Sequence, residues 1–292
     1  MLVSLVMLAA AEPAAVMDKG ALVAYAGVGA TTYAWLNTGD EGGTEQQREV
    51  TRALQSRLDL FGAWVPTDRL QLVLYAPVVY STVLDTDEAA PCTGATGNCE
   101  AITTLGSTAI GARYQLLRGT FPINAGLSVA SQAWNADVRR QYTMVGEATT
   151  DILPALNIGY RRTMGATRFM IDASASYAYR IPAVDDAEIP GKAPEDDIRA
   201  SIDFGLASGP FEVHVSTSTL QRLGGTGFYA YGSSDDVWAT VDYDAIGVGG
   251  KLSYGMANNM GVHLSISRTV WVHNGPVDAT DGSLGVHKYW GG

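Results

Sequence analysis

The sequence of 292 residues has no uninterrupted apolar run of the roughly 18 to 20 residues that a membrane-spanning helix requires. It is also poor in charged residues, at 17%, and in cysteine, with two. Its 19 lysines and arginines stand against 30 acidic residues, and a formal net charge of −11 excludes a broad basic surface for nucleic acid. Because no helix can cross, a β-barrel is the only form in which this chain could span a membrane.

Glycine and apolar residues are abundant. The chain contains 33 glycines, and 47% of its residues are hydrophobic. A disordered chain would be less hydrophobic and more charged. The composition therefore favours a folded, β-rich protein.

The two cysteines, Cys92 and Cys99, lie close together in a polar segment. In an oxidising compartment they are expected to close a small loop disulfide. Two unpaired thiols in a surface loop are the alternative. A metal site would need further His or Cys ligands nearby, and the segment has none, so no metal is predicted.

The first eleven residues are apolar and end in Ala9-Ala10-Ala11, which fits the cleavage pattern of a secretory signal peptide. The basic residues that usually open such a signal are missing, and the N-terminus of a buried strand is the alternative. We predict a signal peptide at 1–11, a short N-terminal segment at 12–20 and a single β-barrel domain at 21–292. This division leaves no room for an N-terminal plug domain.

Residues 52–81 show the pattern that organises the rest of the chain. Apolar residues fall on one parity before and after a short polar turn at 66–69, and polar residues occupy the other parity. This alternation is typical of two β-strands joined by a tight turn, with one apolar face and one polar face. The apolar parity carries Leu54, Leu58, Leu60, Trp64, Leu70, Leu72, Leu74, Val78 and Tyr80, and the polar parity carries Gln55, Arg57, Asp59 and Gln71.

The hairpin recurs along the chain. Turn centres at Asp68, Gly119, Gly165, Gly209 and Asn258 are separated by 51, 46, 44 and 49 residues. With a first strand at 21–36 and a last one at 283–290, the pattern predicts twelve strands. A propeller repeats at a similar length, but its blades hold four short strands and often a signature motif, neither of which is present.

Short turns alternate with long polar loops, predicted at 83–101, 135–149, 182–196, 224–236 and 274–282. This asymmetry is typical of bacterial outer-membrane barrels, which have short periplasmic turns and longer extracellular loops. Two of the loops are acidic. They could bind divalent cations or attract cationic solutes, or they could simply be solvated.

Aromatic residues on the apolar parity cluster at the strand ends, as in the aromatic belts at the two membrane interfaces. Those near the short turns are Trp64, Tyr114, Phe121, Tyr160, Phe169, Phe211 and Tyr254, and those near the long loops are Tyr80, Tyr177 and Tyr179.

The opposite parity carries ionisable groups, which are too costly to bury in a dry core and therefore predict a polar lumen. The candidates for solute contact are Arg57, Asp59, Arg113, Arg161, Asp172, Arg180, Arg199, Asp203, Glu212, His214, Arg222 and His263, with Asp151 beside them. The arginines could form a ladder for an anionic solute. They could instead be neutralised across strands by the pairs Arg57 with Asp59, Arg199 with Asp203, and Arg180 with Asp172.

Two residues do not fit the outward apolar row. Arg268 lies on the apolar parity, where a lipid-facing arginine near the midplane costs about 2 to 4 kcal/mol. A bulge near 267–269, or snorkelling toward the loop end, would accommodate it. Lys288 interrupts the last strand.

Three segments resemble a known family. FGAWVPTDRLQLVLYAPVVYS, LGSTAIGARYQLLRG and LSYGMANNMGVHLSISRTVWVHNG are similar to hairpins of FadL-like long-chain fatty acid channels and of the outer-membrane proteins encoded with aromatic-degradation meta-pathways. The resemblance implies an outer-membrane transporter of hydrophobic solutes. The fatty acid channels have fourteen strands and a plug, and this chain has length for neither. In size it resembles nucleoside-type or acidic-sugar channels equally well.

The sequence thus predicts an all-β, antiparallel, up-and-down transmembrane barrel of about twelve strands in the bacterial outer membrane, surrounded by lipid and lipopolysaccharide. We expect a channel or uptake protein for small solutes, hydrophobic, aromatic or anionic, with no cofactor and no enzymatic activity. The alternative is a structural or surface-binding barrel with a closed lumen. An enzyme would have to use His273 and Asn274 with Ser265 or Ser267, and no nucleophile motif surrounds them.

Overall fold

The structure, a computed structural model, describes residues 14–37, 48–86, 101–131, 149–182, 196–224, 244–273 and 277–291. Within these ranges no helix is long and apolar enough to cross a membrane. The strands are β1 Leu22–Asn37, β2 Arg48–Trp64, β3 Leu70–Thr86, β4 Ile102–Leu105, β5 Thr108–Leu117, β6 Ile123–Ser131, β7 Thr149–Met164, β8 Thr167–Pro182, β9 Asp197–Ser208, β10 Phe211–Arg222, β11 Asp244–Met256, β12 Met260–His273 and β13 Val277–Trp290.

All strands belong to one closed antiparallel sheet. Strands that follow each other along the chain pair, except β4 with β5, and β1 pairs with both β2 and β13, which closes the barrel. Strands β4 and β5 lie end to end along β3 and occupy one strand position. The barrel therefore has twelve strand positions, which confirms the predicted architecture.

The interrupted strand coincides with Pro77 in β3. Proline lacks the N–H that a sheet ladder needs, and the pairing of β3 shifts by one residue between Tyr75 and Val78. Gly106, between β4 and β5, donates its backbone N–H to the Pro77 carbonyl at 2.8 Å. The wall is thus continuous here but held by fewer ladder bonds.

Side chains alternate between the two faces of the sheet as the pattern predicts. On β12, Ile266 is 62% exposed whereas the preceding Ser265 is 6% exposed. Because the sheet is closed and the apolar residues form the exposed row, that row is the surface that meets lipid. The buried row faces the lumen.

The short turns are made by residues that tolerate a left-handed backbone. Gly119, Gly165 and Gly209 have φ of 95°, 62° and 55°, and Asn258 has φ of 62°. Glycine adopts this region without a steric penalty because it has no Cβ, and asparagine tolerates it better than most other residues. Four of the five predicted turn centres are therefore fixed by local backbone chemistry.

Aromatic rings form contacts around the turn end of the barrel. Phe121 lies 5.3 Å from Tyr160, Tyr160 lies 6.2 Å from Phe169, and Phe211 lies 5.0 Å from Tyr254, between ring centroids. Toward the loop end, the exposed aromatic residues are Tyr80, Tyr177, Tyr179 and Trp271. These positions agree with the two predicted girdles.

Arg268 and Lys288, the two residues that do not fit the outward apolar row, both lie near a membrane–water interface. Arg268 stays exposed on the outward row, and the bulge comes just beyond it, at Val270, where Ile246 pairs with Trp271 and Gly247 with Thr269. Arg268 is thus three residues from Trp271, which belongs to the aromatic girdle at the loop end. From this position the guanidinium can extend to the lipid headgroups. The Lys288 ammonium donates a hydrogen bond to the backbone carbonyl of Asn258 in the adjacent turn.

The last strand is longer than predicted. It begins at Val277 rather than at residue 283, so most of the loop predicted at 274–282 is strand. Asp281 and Gly282 break the apolar pattern because one faces the lumen and the other lacks a side chain. The signal peptide, Cys92 and Cys99, and most of the acidic loop residues lie outside the described residues.

Candidate functional site in the lumen

All the predicted lumen residues lie on the inward face. Nine of them are buried among their neighbours: Arg57, Asp59, Arg113, Asp151, Arg180, Arg199, Asp203, His214 and Arg222. The other four, Arg161, Asp172, Glu212 and His263, are partly buried. The structure does not gather them into one site but distributes most of them over four ion-pair clusters.

The first cluster is centred on Arg57 of β2. Its Nε donates to Asp59 Oδ2 at 2.9 Å, and its Nη2 donates to Asp281 Oδ1 on β13 at 3.0 Å. To reach Asp281, the guanidinium crosses β1 over Gly29, where an added Cβ would lie 2.9 Å from Arg57 Cζ. Tyr75 Oη donates to Asp59 Oδ1 at 2.6 Å. Arg57 and Asp59 therefore pair as predicted, but within β2 rather than across strands, and the contact across strands is made with Asp281.

The second cluster joins β9 and β10. His214 Nε2 lies 2.6 Å from Glu212 Oε1, and His214 Nδ1 makes a short hydrogen bond with Asp203 Oδ1. An imidazole can donate from both nitrogens only when it is protonated, so a cationic His214 fits this geometry. Arg168 Nη2 lies 3.7 Å from Glu212 Oε2 and adds a second cation.

The third cluster lies toward the loop end around Asp197, which is fully buried. Arg199 Nη2 donates to its Oδ2 at 3.1 Å, Arg222 Nε donates to its Oδ1 at 3.1 Å, and Arg180 Nη2 also contacts Oδ2. Arg199 Nη2 lies 3.8 Å from Asp151 Oδ2 as well. Three guanidinium groups therefore share one central carboxylate.

Two predicted pairs, Arg199 with Asp203 and Arg180 with Asp172, are wrong, and the strand register explains why. Asp172 and Asp203 lie directly opposite each other on β8 and β9. Like charges in that position repel, so each carboxylate pairs with a cation on its other side. Asp172 Oδ1 lies 2.6 Å from Arg161 Nη2, and Asp203 pairs with His214.

The fourth cluster, Arg161 with Asp172, also holds the N-terminal segment inside the turn end of the barrel. Ala14 N donates to Asp172 Oδ1 at 2.9 Å, and Asn124 Nδ2 donates to the Ala14 carbonyl at 2.7 Å. Val16 N donates to Gln115 Oε1 at 2.5 Å. No plug domain is present in the described part of the chain, but residues 14–18 cross this mouth, which sequence reasoning did not predict.

The lumen of the described structure contains a cavity of about 550 Å³. Beside it lies a set of rings that we call the aromatic wall: Tyr25 of β1, His263 of β12, and His287 and Tyr289 of β13. Tyr25 and His263 stack at 4.9 Å between centroids with a 20° interplanar angle, and His263 and His287 are also within 20° of parallel.

Glycines allow these rings to lie close against the barrel. A Cβ at Gly27 would come within 1.9 Å of Tyr25 Oη, and one at Gly285 within 2.2 Å of Tyr25 Cε2. A Cβ at Gly261 would similarly meet the His287 ring at 2.4 Å. Because the recesses above these glycines are occupied by rings, the rings occupy wall space rather than the centre of the cavity.

Seven of the twelve candidate residues line the cavity: Arg57, Asp59, Arg113, Asp203, Glu212, His214 and His263. The other five, Arg161, Asp172, Arg180, Arg199 and Arg222, belong to the clusters at the two ends. Cavity residues that the prediction omitted include Tyr25, Tyr75, Lys251, His287 and Tyr289. Lys251 could have been predicted from the sequence. Val248, Leu252 and Tyr254 mark the outward parity of β11, and Lys251 lies on the opposite parity.

The described residues contain no group of three or more His, Cys, Asp or Glu that could hold a metal ion. The side chains of His273 and Asn274, which the enzyme hypothesis needs, lie outside the described part. Ser265 faces the lumen, with its hydroxyl 2.6 Å from that of Ser283. Chemically, the cavity offers ammonium, guanidinium, hydroxyl and aromatic groups for binding.

No protein-family model and no curated protein sequence matches the chain. Among solved structures, the COG4313 outer membrane channel from Pseudomonas putida F1 is similar with a TM-score of 0.67 and 11% identity, covering 94% of this chain and 97% of that one. The NanC and KdgM porins match with TM-scores of 0.43 and 0.44 at 10% identity, covering 91% and 92% of this chain and 98% and 99% of theirs.

At this level of identity the first match supports the fold. The closed barrel, its apolar outer wall and the aromatic girdles place the protein in the bacterial outer membrane. The resemblance of the hairpins to FadL-like channels is not shown by these matches and stays a hypothesis.

Proposed function

We propose that the protein is a passive channel or uptake protein for small solutes in the outer membrane. The observation that carries this proposal is the length of the lumen cavity along β10. Its lining includes Pro210 at the turn end and Leu220 toward the loop end. Ten residue steps of a strand span about 30 Å, which, with the tilt of barrel strands, is comparable to the apolar band of an outer-membrane barrel.

The chemistry of the lining supports a solute path with a polar side and an aromatic side. Serine hydroxyls at 216, 218, 253 and 265 and the charged groups of the first two clusters provide hydrogen bonds, and the aromatic wall provides flat apolar contact. Both the anionic and the aromatic solutes expected from the sequence fit such a lining.

A non-transporting barrel with a closed lumen is the second candidate. It is favoured by the N-terminal segment, whose hydrogen bonds to Gln115, Asn124 and Asp172 fix it across the turn-side mouth. The balance of cations and acids over the four ion-pair clusters taken together also supports it, since paired charges brace a wall without attracting a solute. In this case the barrel would act as a structural or surface-binding protein.

Planar-bilayer recording of the purified, folded protein tests the channel. We expect stable ohmic current steps in potassium chloride. The Ser216→Trp variant should lower the conductance because residue 216 lines the cavity, whereas Val215→Trp should leave it unchanged because Val215 is 61% exposed on the outer wall. The two variants add the same ring to adjacent residues, so they differ mainly in the face that carries it.

Folding of each variant is checked by its circular dichroism and by its heat-dependent migration in detergent gels. Absence of current from folded wild-type protein would contradict the channel and support the closed barrel. Equal loss of conductance in both tryptophan variants would contradict the assignment of the cavity as the conducting path.

A further inference from the structure

Lys251 differs from five of the six predicted lumen arginines in having no ionic partner in the described part of the chain. Arg57, Arg161, Arg180, Arg199 and Arg222 each form an ion pair with an aspartate. In the part of the chain that the structure describes, Lys251 makes neither an ion pair nor a hydrogen bond through its side chain. Yet it lines the cavity and is only partly buried. Its ammonium group is therefore available to a solute.

The acidic residues nearest to this lysine are already compensated. Glu212 contacts both His214 and Arg168, and Asp203 contacts His214. Lys251 lies within electrostatic reach of Glu212, His214, His263 and His287. This side of the lumen thus has no carboxylate devoted to neutralising Lys251, and its positive charge favours an anion.

Hydroxyl groups and open space surround the ammonium position. In the strand register Lys251 lies opposite His214 on β10 and Ser265 on β12. Ser253 follows Lys251 on the same face, and Gly249 precedes Lys251 there, with Ser216 and Ser267 each 3.1 Å from the place that a Cβ of residue 249 would take. A carboxylate bound to the ammonium in the cavity would therefore find hydroxyl donors beside it.

The aromatic wall adjoins the same place. His263 is opposite Ser253 on β12, one position along the inward row from Ser265, which pairs with Lys251. Through the stacking of Tyr25 with His263, the flat surfaces continue from β12 to β1. An unsaturated or aromatic body attached to the carboxylate could stack or make edge contacts there.

We propose that Lys251 and the aromatic wall form a binding subsite for small organic carboxylates with a flat, unsaturated body. The subsite rests on the proposed function as a solute channel, whose cavity it shares. Lys251 holds the carboxylate, the serine hydroxyls complete its hydrogen bonds, and the rings select a planar body over a puckered one.

Benzoate is the probe. Its affinity for the full-length protein in detergent is measured by isothermal titration calorimetry, and its block of the potassium chloride current is measured in bilayers. We expect saturable binding to wild type and at least about tenfold weaker binding to Lys251→Met, since a charge-assisted hydrogen bond is lost. Lys251→Arg keeps the charge and should stay close to wild type.

Lys288→Met is the matched control, because Lys288 lies on the outward row and its ammonium contacts a turn carbonyl. Its affinity should stay within about twofold of wild type.

Two further ligands separate the contribution of the carboxylate from that of the planar ring. Benzylamine has the ring with the opposite charge and should not bind, and cyclohexanecarboxylate has the charge with a puckered ring and should bind several-fold more weakly than benzoate.

The outcomes distinguish this subsite from the channel itself. A wild-type protein that conducts but does not bind benzoate overturns the subsite and leaves the channel intact. Binding that depends on Lys251 without any conductance supports the subsite and overturns the channel. Equal affinities of wild type and a folded Lys251→Met variant overturn the subsite, as does equal binding of benzoate and benzylamine.

Discussion

Replacing Asp197 with alanine is expected to destabilise the barrel by about 3 to 5 kcal/mol, measured as the free energy of unfolding in guanidinium chloride. Asp197 is fully buried and is contacted by Arg180, Arg199 and Arg222. Without its carboxylate, three guanidinium groups remain close together, with Asp151 as the other acid contacting Arg199. The cost therefore comes from uncompensated charge rather than from the lost side-chain volume.

The Asp197→Asn variant separates these two contributions, because it keeps the shape and one acceptor oxygen while removing the charge. It should be less stable than wild type and more stable than Asp197→Ala. Asp68→Ala, in an exposed turn, removes the same charge and should change stability by no more than about 0.5 kcal/mol. If Asp197→Ala behaves like Asp68→Ala, water rather than Asp197 stabilises the three arginines.

Replacing Arg57 with methionine is expected to have an effect of similar size, about 3 to 5 kcal/mol. Methionine keeps most of the side-chain length, but it leaves Asp59 and Asp281 without their shared cation. Asp281→Asn in the same background removes one of the two unpaired charges. The double variant should therefore be more stable than the sum of the two single variants implies, by about 1 to 3 kcal/mol.

The double-mutant cycle depends on the reach of Arg57 across Gly29 to β13. Arg69→Met, in the exposed turn between β2 and β3, is the control for loss of an arginine and should be nearly neutral. Additive effects of Arg57→Met and Asp281→Asn would show that the two side chains do not interact, contrary to the geometry.

The strands and their faces could be predicted because the information is local. In β2 and β3, alternate residues decide which face meets lipid, and the turn between them is short, so period and register follow from neighbouring residues. The same holds for the turns at Gly119, Gly165 and Gly209, where a positive φ favours glycine. The twelve strand positions follow from these two signals.

The partners of the charged residues could not be predicted because they depend on contacts between distant parts of the chain. Arg57 and Asp281 are 224 residues apart and meet only when β13 closes the barrel on β1. Asp172 pairs with Arg161 on β7, and Asp203 pairs with His214 on β10. These partners can be identified only when the register of β7 to β10 is known. The N-terminal segment has no periodicity, and its position is set by amide side chains on β5 and β6.

Both the barrel in the membrane and its proposed channel require that one face of the wall meets lipid and the other meets water, and adjacent residues of β11 test this most directly. Leu252 is 46% exposed on the outer wall, and Ser253 lines the cavity. In protein with Cys92 and Cys99 replaced by serine and reconstituted in lipid vesicles, Ser253→Cys should react rapidly with a charged, water-soluble thiol reagent, and Leu252→Cys should react far more slowly. Faster or equal reaction at residue 252 would contradict the assignment of a lipid-facing outer row and a hydrated lumen.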